Sequence, residues 1–319
     1  MQLSSKEKYR RLCREENDIP IFSRDWWLDI VCRTERWDVL LFEEKDCIRA
    51  AFPVYMPASN IISMPPFTQT MGIWFAPETE DTKYLSILSS RQAIAQKFIV
   101  NLPAFSSFLQ NFNYNISDWL PFYWKGFEQT TRYTYILKDI NNQELLWNNM
   151  NSNIRRNISK AKEKHKISVC RNLHVDELIS MVSQTFDRQN LKAKHLPVLK
   201  RLVAEARKRN QGDIWGGFDS EGNLHAAAFI VWQKSSAYYI AGGSSASLRS
   251  SGAHSLVLWE AVRAVSAYTG VFDFEGSMIP GVERFFREFG GIQMPYFSIY
   301  KGKPGLFDRF RIRLGAIKS

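Results

Sequence analysis

The fold is decided by one stretch near the end of the chain, residues 271–291, which reads VFDFEGSMIPGVERFFREFGG. Its first five residues have the pattern of a short strand, 271–275, and two acidic residues stand two positions apart within it. A Gly-Ser turn and an aromatic-rich helix over 280–289 follow. A strand that leads through a turn into a helix is typical of α/β proteins.

Outward from that stretch, the second half of the chain continues in helices and strands. Apolar residues recur every three or four positions in helices at 143–165, 176–186 and 197–209, and a further helix covers 252–268. Strand-like runs cover residues 213–218, 224–233 and 236–242, and a last strand spans 294–300. This order predicts an α/β (α+β) fold in which the first, antiparallel strands lead into a strand–helix–strand crossover connection.

The first half of the chain has weaker patterns. Helices are indicated at 6–15, after Ser23 as an N-cap, at 90–98 and at 104–111, with a strand at 133–137. Two strand-like runs, 37–42 and 48–56, flank a charged turn and predict a β-hairpin. The loop 61–76 is rich in Pro, Gly and aromatic residues; it either lines an acceptor groove or serves as a rigid connector.

Length and charge narrow the class of protein. A chain of 319 residues is long enough for two domains, and its 45% hydrophobic and 23% charged residues are ordinary for a globular protein. Residues 1–145 hold 16 basic and 18 acidic residues, whereas 146–319 hold 26 and 14, so the net charges are −2 and +12. The positive half suits an anionic partner such as a phosphorylated precursor, coenzyme A or tRNA, or it is a solvated basic face.

Several kinds of protein are disfavoured by what the sequence lacks. The four cysteines form no CxxC pair and the five histidines have no metal-ligand spacing, so we expect reduced thiols and no metal site. The polar start has no apolar targeting segment, and no apolar run approaches the length of a membrane span. We therefore expect a cytoplasmic protein without a membrane span; the oligomeric state is left open.

Two motifs carry a family resemblance. The helical stretch 153–161, NIRRNISKA, and the strand, turn and aromatic helix of 271–291 resemble the second domain of the bacterial Fem peptidoglycan-bridge aminoacyltransferases, which belong to the GNAT-like acyltransferase superfamily. The resemblance covers residues 145–303 well and the first half weakly. The chain departs from the larger Fem enzymes because it has no heptad insertion that could form their coiled-coil arm.

The resemblance implies two tandem GNAT-like domains with mixed sheets flanked by helices, at 1–144 and, with a basic tail, at 145–319. It implies an N-acyltransferase that moves an acyl or aminoacyl group to an amine, in the Fem family an amine of a peptidoglycan precursor. The acyl donor would be aminoacyl-tRNA or acyl-CoA, with no bound cofactor. Two alternatives stay open: an acyl-CoA-dependent GNAT N-acetyltransferase acting on a small or peptide amine, and a non-enzymatic binder of an anionic polymer such as RNA.

Acyl transfer to an amine needs a group that accepts the amine proton, because an ordinary alkyl amine is protonated at pH 7. Asp273 and Glu275 stand at positions i and i+2 of the predicted strand, so their side chains are expected on one face. Glu275 is the preferred base, since the Gly276 turn beside it should open that end of the strand. Alternatively, both carboxylates hold the neighbouring turn or pair with Arg284.

A donor site is suggested by the turn 249–254, RSSGAH, between strand and helix. In GNAT enzymes a similar turn presents backbone N–H groups to the coenzyme A pyrophosphate, which points to Arg249 and Gly252. The last position is His254 where Gly or Ala is usual, so we expect weak binding of free coenzyme A. An ordinary N-cap turn is the alternative.

Basic residues supply candidate anchors for a substrate phosphate. Arg155, Arg156 and Lys160 project from the helix 143–165, and Lys301 follows the last strand, ahead of a tail with Lys303, Arg309, Arg311 and Arg313. In the Fem family, basic residues in these segments grip a diphosphate and an RNA end. The alternative for each is a solvated surface charge.

Overall fold

A computed structural model describes residues 3–188 and 193–302. These residues form two compact units, one made of 3–132 with 295–302 and the other of 133–294. The domain boundary expected between residues 144 and 145 lies within a helix of the second unit. Lys303 and the basic tail residues Arg309, Arg311 and Arg313 lie outside the described residues.

The first unit is a mixed sheet with helices. Its helices are α1 (Ser5–Glu15), α2 (Asp25–Cys32), α3 (Tyr84–Val100) and α4 (Leu120–Tyr123). Its strands are β1 (Trp37–Glu44), β2 (Cys47–Ala58), β3 (Ile61–Ser63), β4 (Trp74–Phe75) and β5 (Ser107–Asn111). Two further strands, β6 (Glu128–Lys138) and β12 (Ile292–Gly302), begin in one unit and end in the other.

The sheet of the first unit is built around the predicted hairpin. β1 and β2 pair antiparallel, β2 pairs antiparallel with β3 and β4, β3 pairs parallel with β5, and β5 pairs antiparallel with β12. The core beneath this sheet is aromatic: Phe52, Phe108, Phe112, Phe122 and Phe127 are each at most 3% exposed. Their rings meet mostly edge to face, with centroids 5.0–6.5 Å apart.

The second unit has a larger sheet. Its helices are α5 (Gln143–Asn149), α6 (Ser152–Ser159), α7 (Val175–Arg188), α8 (Leu196–Lys208), α9 (Ala253–Val265) and α10 (Pro280–Glu288). Its own strands are β7 (Ser168–Arg171), β8 (Gly212–Phe218), β9 (Leu224–Trp232), β10 (Ala237–Ser244) and β11 (Val271–Asp273).

The strand order in the second unit confirms a mixed sheet. β7, β8, β9 and β10 form an antiparallel meander, after which β10 pairs parallel with β11 and β11 antiparallel with β6. The parallel pair is the crossover expected from the sequence, because α9 connects β10 to β11. Helix α9 supplies much of the core, with Leu256, Val257, Leu258, Ala261 and Val262 all at most 2% exposed. The α/β prediction, with mixed sheets flanked by helices, is confirmed.

Two local predictions were wrong in the first unit. Residues 104–111 do not form a helix; the segment holds β5, whose five residues are all buried. Pairing with β3 on one side and β12 on the other overrides the local pattern there. Ser23 is not an N-cap either, since Arg24 takes that position in α2 and the Ser23 carbonyl accepts a hydrogen bond from the Tyr9 hydroxyl at 2.7 Å.

The single helix expected over 143–165 is interrupted. Helix α5 ends at Asn149, and Asn151 starts α6 by accepting a hydrogen bond from the Asn153 N–H at 2.9 Å. After α6 the chain continues as one wider turn of π-helix, Lys160–Lys164. The spacing of apolar residues continues from α5 into α6, because both helices pack against the same core. The residues concerned are Leu146, Met150, Ile154 and Ile158.

Candidate functional site

A notch forms in the second unit where two parallel strands part. β10 and β11 pair only through Ala237 with Phe272 and Tyr238 with Asp273. β11 then ends, while β10 continues to Ser244 with β9 on its other side. Within the described part of the chain, no strand pairs with this edge of β10 beyond Tyr238. Side chains contact this edge near its end: His254 Nδ1 lies 3.3 Å from the Gly243 carbonyl, and the Ser244 N–H donates to the Thr185 hydroxyl at 3.2 Å.

Two glycines shape the wall of the notch. The register of β10 shifts between Tyr239 and Ala241, and a Cβ at Gly242 would lie 2.4 Å from the Tyr239 hydroxyl. A Cβ at Gly243 would lie 2.1 Å from the Met181 carbonyl, so α7 packs directly on the strand backbone. Gly242 and Gly243 therefore allow two close approaches to β10, one by a side chain and one by a helix.

A tyrosine and a histidine meet at the notch. The Tyr239 hydroxyl lies 3.3 Å from His254 Nε2, and His254 Nδ1 lies 3.3 Å from the Gly243 carbonyl. Since a carbonyl only accepts, Nδ1 carries the proton and Nε2 accepts from Tyr239. Burial and then the negative charge of Glu275 raise the pKa of Tyr239, so its hydroxyl stays protonated. The sequence motifs did not name Tyr239, and they named His254 only as the last position of the turn 249–254.

The two carboxylates have different surroundings. Strand β11 ends at Asp273, so the alternation expected to place Asp273 and Glu275 on one face does not extend to Glu275. Asp273 is 0% exposed; its Oδ1 accepts from the Thr134 hydroxyl and, at 2.7 Å, from the Glu275 backbone N–H. Asp273 thus holds the turn, which was the structural alternative for it. Arg284 pairs with Glu288 at 2.8 Å.

Glu275 and Gly276 adopt left-handed backbone conformations, with φ of 58° and 57°. A left-handed conformation is energetically unfavourable for a residue with a side chain, such as Glu275. It persists where the surrounding structure imposes it. A Cβ at Gly276 would lie 2.1 Å from the Tyr133 carbonyl, so β6 presses on the turn and allows only glycine there. Such strained backbone is enriched at active sites. The assignment of Glu275 as the base stays a prediction.

The turn suggested for the donor is brought against α6. Gly252 has φ of 81° and precedes α9, and a Cβ there would lie 2.4 Å from the Asn157 carbonyl. Lys160 donates to the Ser250 carbonyl at 2.6 Å. The structure therefore places three of the expected binding residues, Lys160, Arg249 and Gly252, in one region.

A buried hydrogen-bond chain supports the same turn. His225, 4% exposed, lies with Nδ1 3.0 Å from the Ser251 hydroxyl and Nε2 3.0 Å from Asp219 Oδ2. The Ser251 oxygen accepts from the Ala253 N–H at 3.2 Å. Because Ser251 is 1% exposed, this Ser-His-Asp chain positions the start of α9 and does not present a nucleophile. One N–H at the helix start is consequently already bonded within the protein.

The remaining basic candidates lie apart from this turn or are engaged locally. Arg155 contacts the Trp147 carbonyl at 3.4 Å, and Arg156 donates to the Asn153 side chain. Lys301 belongs to the first unit, where it donates to the Lys125 carbonyl at 2.5 Å. A cation missed from sequence is Arg188, whose pKa is lowered by burial and then by repulsion from Arg249. The positive charges of Arg188 and Arg249 would each attract an anion.

Two further properties bear on the site. Among the described residues, no group of three or more His, Cys, Asp or Glu side chains is arranged to hold a metal ion. Likewise, none of the helices that the structure describes has the length and apolar character needed to cross a membrane.

Comparison with known proteins finds one domain match in the second unit. Residues 148–287 match the family model described as an acetyltransferase (GNAT) domain. That range includes α6, β10, α9, β11 and most of α10, hence the notch and the donor turn. No curated protein matches the sequence.

Solved structures match nearly the whole chain at low identity. FemX superposes with a TM-score of 0.65 and 11% identity, covering 93% of this chain and 96% of its own. The C-terminal domain of a putative lysylphosphatidylglycerol synthetase from Agrobacterium fabrum gives 0.56 and 13%, covering 98% and 99%. A tandem GNAT protein from the clavulanic acid biosynthesis pathway gives 0.51 and 8%, covering 86% and 93%. The resemblance drawn from the motifs is confirmed: residues 148–287 match a GNAT acetyltransferase domain, and the chain shares its fold with FemX and with a tandem GNAT protein.

Proposed function

We propose that this protein is an N-acyltransferase that joins an activated acyl or aminoacyl group to an amine of a peptidoglycan precursor. The observation that carries the proposal is the notch between β10 and β11 in a GNAT domain, with Tyr239, His254 and Glu275 around it. The similarity to FemX supports the fold on which the chemistry would take place. The cell-wall acceptor rests on the motif resemblance.

In this mechanism the acyl carbonyl lies along the unpaired edge of β10. The Glu275 carboxylate takes the proton of the acceptor ammonium, and the neutral nitrogen attacks the carbonyl carbon. Tyr239, which stays protonated, turns its O–H from His254 to the negative charge that develops on the carbonyl oxygen. The C–N bond forms, and the bond from the carbonyl carbon to the carrier oxygen or sulfur breaks. The nitrogen's second proton passes to the leaving carrier, and Glu275 releases the first proton to solvent.

The donor is a carrier with phosphate groups, held near Arg188 and Arg249. At the start of α9 the N–H groups of Ser251, Ala253 and Ser255 are all bonded within the turn, at 3.0, 3.2 and 3.1 Å. A pyrophosphate would therefore find few backbone donors there. His254 hydrogen-bonds to β10, so the occupied N–H groups are a better reason than its bulk for weak coenzyme A binding. This favours aminoacyl-tRNA over acyl-CoA as the donor.

The test is acylation of a peptidoglycan precursor with a free amine, with aminoacyl-tRNA and acetyl-CoA supplied separately. We expect turnover with aminoacyl-tRNA, and Glu275→Gln should lower the rate about 100- to 10,000-fold while keeping the melting temperature. A matched control is Glu288→Gln, which changes a carboxylate of the same unit paired with Arg284. Turnover only with acetyl-CoA would instead identify the protein as an acyl-CoA-dependent N-acetyltransferase. Near-full activity of Glu275→Gln would make Glu275 structural.

A further inference from the structure

A cavity lies in the first unit, and none of its lining residues is among those used in the proposed acyl transfer. It has a volume of about 80 Å³ and is walled mainly by apolar side chains of β4, α3 and the segment 112–122. The walls include Ile73, Phe75, Leu88, Phe112, Ile116 and Phe122. Tyr84, which also lines it, is 75% exposed, so the cavity reaches the surface. A water-sized group needs roughly 10–15 Å³, so the space takes a chain of about six atoms.

One cation faces this apolar space. Arg91 lines the cavity, with its guanidinium 5.1 Å from the centre of the Phe75 ring. Its Nε atom is buried and has no hydrogen-bond partner. A buried N–H that makes no hydrogen bond is costly, and proteins leave few of them. A ligand that supplies an acceptor for Nε would explain why this N–H has no partner within the protein.

The carboxylate among the lining residues is committed to other donors. Asp118 accepts from Gln92 Nε2 at 2.8 Å and from the Leu120 N–H at 2.9 Å. Within the described residues Arg91 forms no salt bridge. A ligand carboxylate can bond an arginine with two parallel N–H···O bonds, and this would engage the buried Nε.

We propose that this cavity binds a small carboxylate with a short apolar body, the apolar part between α3 and α4 and the carboxylate on Arg91. The apolar walls and the limited volume restrict the ligand to a short apolar chain. The Arg91 Nε, which has no hydrogen-bond partner, favours a negatively charged group on that ligand. The site belongs to the first unit and uses no residue of the proposed acyl-transfer chemistry. Its success or failure is thus independent of that function.

Hexanoate is a suitable probe, with 1-hexanol as its uncharged counterpart of similar length, and binding is followed by ligand-observed NMR titration of the full chain. A charge-assisted hydrogen bond should make hexanoate bind about 10- to 100-fold more tightly than 1-hexanol. Arg91→Gln should remove this preference. Lys97→Gln is the matched control on the same helix, because Lys97 is exposed and lies over Phe42.

A second variant tests the apolar part. Leu88→Trp fills the cavity from a half-buried wall position and should abolish binding of both probes. The proposal is overturned if hexanoate does not bind, if it binds no better than 1-hexanol, or if Arg91→Gln keeps the preference. If Leu88→Trp unfolds, as a melting curve would show, the comparison of Arg91→Gln with Lys97→Gln still decides.

Discussion

Asp273→Ala tests whether the buried carboxylate positions the turn that carries Glu275. The Asp273 side chain accepts from the Thr134 hydroxyl and from the Glu275 N–H at 2.7 Å, and both Asp273 and Thr134 are 0% exposed. Alanine leaves these two donors without their acceptor. Each buried donor left unsatisfied costs about 1–3 kcal/mol, so we expect the free energy of unfolding to fall by about 2–6 kcal/mol.

The assay is urea unfolding followed by circular dichroism, with Asp273→Asn beside Asp273→Ala. Asparagine keeps one carbonyl oxygen as an acceptor, so its loss of stability should be the smaller of the two. A loss below about 1 kcal/mol for Asp273→Ala would refute the positioning role. If activity vanished in that same stable variant, Asp273 would have to act on the substrate itself, and the base would need to be reassigned.

Two further substitutions test the donor turn and its support. Gly252→Ala should lower stability by about 1–3 kcal/mol in a thermal melt, because φ is 81° and the new Cβ would lie 2.4 Å from the Asn157 carbonyl. Asp219 has its pKa lowered, first by a hydrogen bond from Asn223. A lowered pKa adds stability above the unfolded value of about 3.9 that is lost as the pH falls through the folded value. Asp219→Asn should therefore be less stable than wild type at pH 6, and this difference should shrink below about pH 4; a constant difference would contradict the linkage.

Prediction from sequence succeeded where the signal is local. The hairpin β1–β2, the meander from β8 to β10 and helices α7 and α8 lie close to their predicted ranges. Their signals are runs of strand-forming residues between turns, or a helical period of 3.6 residues. The failures lie where pairing with distant strands or a helix cap overrides the local pattern. β5 pairs with β3 and β12, which lie far from it in sequence.

The candidate site divides in the same way. Glu275, Gly252 and Lys160 were named as candidate site residues because they belong to short sequence motifs. In the structure Gly252 lies in the turn 249–254, and Lys160 donates to that turn. Tyr239 belongs to no motif and His254 was noted only as the last position of the turn 249–254; they meet because α9 packs against β10. Their hydrogen bond spans positions that no periodicity relates.

By itself, the sequence determined the α/β class, the family resemblance and the residue types available for acyl transfer, because these depend on neighbouring positions. The tertiary structure alone decided which of them meet. It buried Asp273 and bonded it to Thr134, a residue 139 positions away. It also ended the strand at Asp273 and placed Glu275 in a left-handed turn, with β6 close against Gly276. Such contacts arise from packing between distant segments, which no local pattern encodes.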